Sequence, residues 1–334
     1  DAIAAYYKAL NFKPDYAEAK CNASFAYNLK GKLEKGLKLY EWRLRKKNSK
    51  TRLPLKELTW DGQKSLEGKS FLIYEEQGLG DTIQFCRYLT LLREKGAEVT
   101  FKVTTKLHKL LQTLDGNIRL IDNLLGENKF DFEAPLLSLP HLFRTTLETI
   151  PSLQSYLVAE QERIGLWENH LTRDRFKIGI CWQGSKAKID VGRSFPLSLF
   201  ENIADLPNVE LISLHRGDGE IQIKDIDFPL TTLGENFDAD GEAFLDTAAV
   251  MMHCDLIISS DTAIAHLAGA LGRPTWVVLK HIPEWRWLLD RHDCPWYPTM
   301  VLYRQKQREK WEPVFADIKR DLTIKLNKNG YFIG

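Results

Sequence analysis

Residues 70–103 read SFLIY, EEQGLGDT, IQFCRYLTLLREKG and AEVTFKV, and this stretch decides the fold. A short aromatic and β-branched run, a glycine-rich turn, an amphipathic stretch closed by Gly96 and a second apolar run spell a βαβ unit. Further short apolar runs at Ile118 to Ile121 and Phe130 to Pro135 alternate with helical segments. A Rossmann-like half built on a parallel sheet is therefore expected over residues 56–165. The pattern restarts at KIGICW (177–182) and continues through VELISLH (209–215), CDLIISS (254–260) and TWVVL (275–279). Helical stretches at Phe244 to His253 and Thr262 to Leu271 space these runs, so residues 166–320 read as a second doubly wound half.

Two Rossmann-like halves facing a cleft is the GT-B arrangement, an α/β fold. EWRWLLDRHDCPWYP (284–298) leads to REKWEPVFADIKRDLTIKL (308–326), whose amphipathic pattern predicts a C-terminal helix. That helix and tail, residues 305–334, are expected to pack back on the N-terminal half. Upstream, residues 1–55 are helix formers with apolar residues at i, i+3 and i+4, interrupted by Lys13-Pro14-Asp15 and by Gly31, which predicts an all-α segment of three short helices. Tyr6 and Tyr40 stand 34 residues apart, with Ala17, Ala26 and Gly31 where paired helices approach closely, a pattern that resembles a tetratricopeptide repeat. An ordinary helical hairpin is the alternative. Only about one and a half repeats fit, and such repeats need roughly three copies to bury a continuous core. The segment should then dock on the next domain or continue an array, and the opening at Asp1 inside a helical pattern leads us to expect a fragment of a longer protein.

The composition excludes several classes. With 334 residues, 46 Lys+Arg against 45 Asp+Glu and a formal charge of +1, nothing pulls the chain towards nucleic acid or anionic membrane. Hydrophobic content of 44% and charged content of 27% suit ordinary folded domains. The five cysteines, Cys21, Cys86, Cys181, Cys254 and Cys294, are scattered without a CxxC pair or zinc spacing. Free thiols in a reducing cytoplasm are expected, with no leader and no membrane span.

Four loops at predicted strand ends carry candidate chemistry. In Gln77-Gly78-Leu79-Gly80-Asp81-Thr82, the position three after Gly80 is Ile83, so the turn lacks the GxGxxG fingerprint and NAD is not expected. Asp81 would sit at a helix N-terminus, either as a general base on a hydroxyl or as a capping residue. Ser259-Ser260-Asp261-Thr262 ends a buried strand and opens a helix with His266 one turn in. Hydroxyls, N–H groups and a helix dipole there suit a diphosphate, while a plain N-cap and a packed core histidine are the alternatives. Cys181-Trp182-Gln183-Gly184-Ser185-Lys186, with Lys188 and Arg193, gives a basic loop suited to an anionic ligand, or simply to solvent. Leu214-His215-Arg216-Gly217-Asp218-Gly219-Glu220 offers a place for a base or ribose. The pairs Asp225/Asp227 and Asp238/Asp240 match DxD but lack a preceding apolar strand, so they are expected to be surface acids and no metal is predicted. Trp276, Trp285, Trp287 and Trp296 could stack on a sugar, with core packing favoured.

GLGDTIQFCRYL (78–89), PLLSLPHLFRTTLETIP (135–151), ICWQGS (180–185) followed by Arg193-Ser194, SSDTAIAHLAGALGRPTWVVL (259–279) and PEWRWLLDRHDCPWYP (283–298) together resemble one known family. It is the glycosyltransferase domain behind tetratricopeptide repeats in bacterial proteins, related to the lipopolysaccharide heptosyltransferases of the family 9 type. The resemblance implies a GT-B fold, a nucleotide-activated sugar bound mainly in the C-terminal half, and no metal or other cofactor. By the same resemblance Asp81 corresponds to the aspartate that deprotonates the acceptor, and Gly78 and Gly80 shape its turn. Asp261, Thr262 and His266 correspond to the DTGxxH segment that grips the donor diphosphate, with Ala263 in place of glycine. Trp182, Gly184 and Ser185 map to the loop after the first strand of the second half, where Arg193 substitutes for the family's lysine. His215, Arg216 and Glu220 map to the nucleotide-recognition loop.

The leading expectation is an inverting, metal-independent transfer of a sugar from a nucleotide sugar to an acceptor hydroxyl, with a protein acceptor held by the repeat-like helices. The alternatives are a non-catalytic tetratricopeptide scaffold with a vestigial sugar-nucleotide pocket, and a GT-B-like sugar-nucleotide epimerase.

Overall fold

A computed structural model describes residues 2–49, 51, 53–124, 129–185, 192–328 and 330. The chain divides into two units, one comprising Asp1–Ser152 with Glu284–Asp290 and the other Leu153–Pro283 with Arg291–Gly334. In the first unit, α1 (Ala2–Phe12), α2 (Ala17–Leu29) and α3 (Leu33–Tyr40) form the N-terminal segment. Pro14 ends the first helix, since its ring cannot continue a helix interior. α2 packs on both neighbours, and its approach to α3 is close enough that a Cβ on Gly36 would lie 1.9 Å from Asn28 Oδ1. The segment belongs to the same unit as the sheet that follows it.

That sheet begins with β1 (Ser70–Tyr74). The amphipathic stretch after it is two helices, α4 (Leu79–Phe85) and α5 (Arg87–Glu94), with Cys86 between them. β2 (Glu98–Lys102), α6 (His108–Gln112), β3 (Arg119–Ile121), β4 (Phe132–Pro135) and α7 (Leu139–Leu142) complete the unit. All pairings are parallel, in the order β3-β2-β1-β4. The chain thus leaves β1 towards β2 and later returns to its other side, which puts a topological switch point at the C-terminal ends of β1 and β4.

The second unit opens with α8 (Gln161–Glu168). It continues through β5 (Phe176–Cys181), α9 (Glu201–Ala204), β6 (Val209–Ser213), α10 (Leu245–His253), β7 (Leu256–Ser260), α11 (Ala263–Ala270), β8 (Thr275–Leu279), β9 (Met300–Arg304) and α12 (Glu312–Lys328). The sheet is parallel throughout, ordered β6-β5-β7-β8-β9. β6, β7 and β8 are buried along their whole length and β5 at all but one position, as expected of parallel strands covered on both faces.

Three boundaries differ from expectation. α8 lies before the expected boundary at residue 166 for most of its length, yet it packs on α10. Trp167 Nε1 and Arg163 Nη1 both donate to Asp246, and those buried polar contacts fix its side. The C-terminal helix packs within the second unit. Val314, Phe315, Ile318, Leu322 and Leu326 of α12 form one stripe buried with Phe176, Ile178, Phe195 and Phe200 of the second unit, each such side chain contributing roughly 2 kcal/mol on leaving water. What joins the first unit instead is Glu284–Asp290.

Candidate functional site

In the second sheet the chain leaves β5 to form β6 on one side and returns to form β7 on the other. The C-terminal ends of β5 and β7 are thus a switch point, the place where open α/β sheets bind ligands. Cys181 closes β5 in register with Ser259, one residue before Ser260 closes β7. Cys181 Sγ lies 3.8 Å from Thr262 Oγ1 and 3.5 Å from His215 Nδ1, so three loops converge on one thiol. Thr262 Oγ1 also lies 3.2 Å from Ser259 Oγ, whose own proton goes to the Ser260 carbonyl, and Thr262 is therefore the donor of that pair.

Thr262 holds the N-cap position of α11 with extended backbone, yet its side chain makes no cap hydrogen bond to the helix. Its hydroxyl turns to Ser259 and Cys181 instead, which departs from the plain N-cap alternative. Asp261 and Ala263 flank it, half-buried. His266, 7% exposed, pairs Nδ1 with Tyr297 Oη at 3.0 Å. α11 also presses Gly269 onto Tyr297, where a Cβ would come within 2.3 Å of the ring. Tyr297 stands 31 residues beyond His266, and no local pattern pointed to it.

Trp182 and His215 are engaged within the protein. Their rings stack at 4.4 Å with an interplanar angle of 26°, and both are buried. Gly219 N–H donates to His215 Nε2 at 3.0 Å, and Trp182 Nε1 donates to Gly219 O at 3.2 Å. With Nε2 accepting, the ring proton sits on Nδ1 and points to Cys181 Sγ. Burial drives the His215 pKa down to about 4, which keeps the ring neutral. Burial likewise pushes the Cys181 thiol up to about 11, so it is a neutral partner and not a nucleophile. The ring pair therefore shapes the loop that carries Arg216 and Glu220. Glu220 Oε1 accepts from Gly217 N–H at 2.7 Å, and Arg216, exposed, lies 3.9 Å from the same carboxylate.

Gly184 N–H donates to Ser194 Oγ at 3.1 Å. A Cβ on Gly184 would sit 2.3 Å from Arg193 Nη2, so the guanidinium lies directly over the glycine and would have to shift for a larger residue. Ser185 is exposed beside it. Lys186 and Lys188 lie outside the described residues. Gln222, to which no sequence motif points, donates from Nε2 to Gln183 Oε1 at 3.0 Å and ties the loop's base together.

In the first unit, Gly78, Gly80 and Asp81 share the turn from β1 into α4. Gly78 is the N-cap, and Asp81, at the third helical position, accepts its N–H at 3.0 Å, the carboxylate half of a capping box. Asp81 Oδ1 is bonded by Arg286 Nη2, whose other arm holds Glu284 Oε1 at 2.6 Å. The Arg286 guanidinium lies 4.7 Å from the Trp285 ring centroid and 5.0 Å from that of Phe85. Each Asp81 oxygen thus has a protein partner and keeps a lone pair for another.

The remaining motifs resolve into structure. Trp276, Trp285, Trp287 and Trp296 are all buried. Asp238 is not a free surface acid: its Oδ1 accepts from the Asp246 and Thr247 amides at the start of α10, and Asp240 pairs with Arg163 at 2.7 Å. Among the described residues, no group of three or more His, Cys, Asp or Glu is arranged to hold a metal ion, and no helix is long and apolar enough to cross a membrane.

A model described as glycosyltransferase family 9 (heptosyltransferase) matches residues 243–279, the stretch from α10 through β8. Protein FlbA of Caulobacter vibrioides is 28% identical over 315 residues, covering 86% of this chain and 52% of its own length. The chain thus spans about half of that relative. Among solved structures, the glycosyl transferase family 9 protein from Veillonella parvula DSM 2008 superposes with a TM-score of 0.55 at 12% identity, over 78% of this chain and 91% of that one. The E. coli ADP-heptose lps heptosyltransferase II gives 0.54 at 15% identity, over 78% and 98%. At such identities the likeness is one of fold, an α/β fold with parallel sheets shared with GT-B-like heptosyltransferases. The matched segment and the shared fold together support a glycosyltransferase.

Proposed function

We propose that the chain moves a sugar from a nucleoside-diphosphate sugar to an acceptor hydroxyl by a metal-independent inverting displacement. The observation that carries this reading is the convergence of the β5, β6 and β7 loops at the second sheet's switch point, the β7 loop lying within the segment that the family model matches. The donor diphosphate would lie at the N-terminus of α11, near Asp261, Thr262 and Ala263, with Ser185 and Arg193 offering donors to its oxygens. Arg216 and Glu220 would meet the ribose or base, and His266, set by Tyr297, would support the α11 end of the site. As the acceptor oxygen attacks the anomeric carbon, the bond to the diphosphate breaks with inversion, and those groups stabilise the charge that develops on the leaving oxygen. Asp81 would take the acceptor proton through a lone pair that Arg286 and Gly78 leave open. A protein acceptor engaged by α1 to α3, acting as tetratricopeptide-like helices, is part of the same reading, as is a cytoplasmic location.

A second reading has a specific support of its own. Both Asp81 oxygens already serve the protein, one in the cap and one in the Arg286 pair, as they would in a sugar-nucleotide-binding scaffold without transfer. Thermal-shift measurements on the purified chain with ADP, UDP, GDP, CMP and their sugar conjugates, ADP-heptose included, test the pocket. A ligand at a hundred times its Kd stabilises the native state by about 2.7 kcal/mol, and the shift should vanish in Asp261→Ala. No shift with any of them sinks the pocket, while wild-type transfer by Asp81→Ala removes that residue from the base role.

A further inference from the structure

Three side chains of the N-terminal unit join the helical segment to the turn that bears Asp81. Arg43, in the turn Glu41–Arg45 just after α3, is 7% exposed, and Glu76, two residues past β1, is 5% exposed. Arg43 Nε donates to Glu76 Oε2 at 3.0 Å and Nη2 to Glu76 Oε1 at 2.5 Å, the two-pronged geometry that only a guanidinium supplies. Nη2 also reaches Ser138 Oγ at 2.9 Å, and Glu76 Oε1 accepts from Leu137 N–H at 3.1 Å. The pair therefore sits at the first sheet's switch point and binds the ends of both β1 and β4. One residue on, Gln77 has φ of 66°, the left-handed region that non-glycine residues adopt only when held. Its Nε2 donates to Tyr40 Oη at 2.7 Å. Tyr40, the last residue of α3, is 3% exposed, and burial pushes its phenol well above the usual range, so it stays a neutral acceptor. Gly78, whose N–H is bonded to Asp81, comes next.

We propose that Tyr40 and Arg43 are positioning residues for Asp81: the helical segment sets the conformation of the turn from Glu76 to Asp81, so that whatever engages the helices also bears on the reacting carboxylate. The part concerning reaction rests on the function proposed above; the part concerning the turn does not. A helical segment that merely covered the sheet would need apolar contacts alone. Here a buried ion pair and a hydrogen bond address two consecutive residues of the catalytic turn, one of them in a backbone conformation with little stability of its own.

The test uses the full chain with Tyr40→Phe, which keeps the ring packing against Phe25 and Trp285 and removes only the acceptor for Gln77. Arg43→Lys keeps the charge and loses the two-pronged contact, and Asp81→Ala is the benchmark. Amide exchange over residues 76–82 is followed without ligand, beside steady-state release of ADP from ADP-heptose. Loss of one such hydrogen bond should speed exchange across the turn about fivefold, leaving β5 unchanged, and lower kcat about three- to tenfold with KM for the donor within twofold. Turn exchange at the wild-type rate in both Tyr40→Phe and Arg43→Lys would overturn the bracing. Faster exchange with an unchanged kcat, where Asp81→Ala is inactive, would overturn the positioning role. Wild-type turnover by Asp81→Ala would instead overturn the function assigned to Asp81 and leave the bracing to stand on exchange alone.

Discussion

Acidification should loosen the second unit through one side chain, His215. Its ring is 6% exposed, accepts from Gly219 N–H and stacks on Trp182, and burial lowers its pKa from 6.5 to about 4. The unfolded chain therefore takes up a proton near pH 6.5 that the folded chain refuses until about pH 4. The sign follows: the stabilising contribution is complete above pH 6.5 and is lost progressively as pH falls between the two values. At 1.36 kcal/mol per pH unit the full loss approaches about 3 kcal/mol, of which about 2 kcal/mol should already be gone at pH 5. Urea unfolding at pH 7 and pH 5, followed by hydrogen exchange in β5 so that only the second unit is read, measures this in the wild type and in His215→Gln. Other titrating groups cancel in the difference, and the variant should lose about 2 kcal/mol less than the wild type over that interval. Equal pH dependence in the two proteins would refute a buried neutral His215 and the loop geometry built on it. Protonation of the folded ring would cost Gly219 its acceptor. With a folded pKa of about 4 the ring stays neutral at pH 5, so any donor shift seen at pH 7 should persist at pH 5 and weaken only towards pH 4.

Gly179→Ala should destabilise the second unit by about 1–3 kcal/mol, because a Cβ in mid-β5 would meet Leu214 Cδ1 at 2.6 Å and Ile257 Cδ1 at 2.8 Å; an unchanged urea midpoint would contradict that packing. Asp238→Ala removes the acceptor at the start of α10 and should cost roughly 1–2 kcal/mol, the usual range for a lost cap, read by exchange in α10. Gln84 is fully buried with neither side-chain atom hydrogen-bonded, so Gln84→Met should raise the first unit's stability by about 1 kcal/mol. A lowered midpoint there would mean that the amide has a partner in solution.

What the sequence displays and what it hides follows the reach of the contacts. SFLIY, KIGIC, LIISS and TWVVL became strands because their apolar runs are bounded by turns within a few residues, and α10 and α11 carry their own periodicity. β9 went unread: MVLYR is five residues long, lies at a sheet edge and turns Val301 outwards at 38% exposure, so no long apolar run announces it. In the candidate sites the same limit operates more severely. Cys181, Thr262 and His215 meet only because β5 pairs with β6 and β7, and Asp81 finds Arg286 across 205 residues of chain. Local reading offered Asp81 as a cap or a base; the structure supplies the cap and a cation, and leaves lone pairs for the base role. His215 looked like a ligand contact because it follows a strand, whereas the Gly219 N–H and the Trp182 ring make it part of the loop's frame. A polar residue at a strand end can thus serve the ligand or serve the loop that serves the ligand. The choice between them turns on whether its polar atoms are already engaged by groups distant in sequence. By that criterion His215 and Trp182, held through Gly219 and stacked on each other, belong to the loop's frame, and the Thr262 hydroxyl shares such an engagement through Cys181. Substitution of His215 should therefore act first on stability, whereas under the proposed function substitution of Thr262 or Arg193 acts on nucleotide affinity.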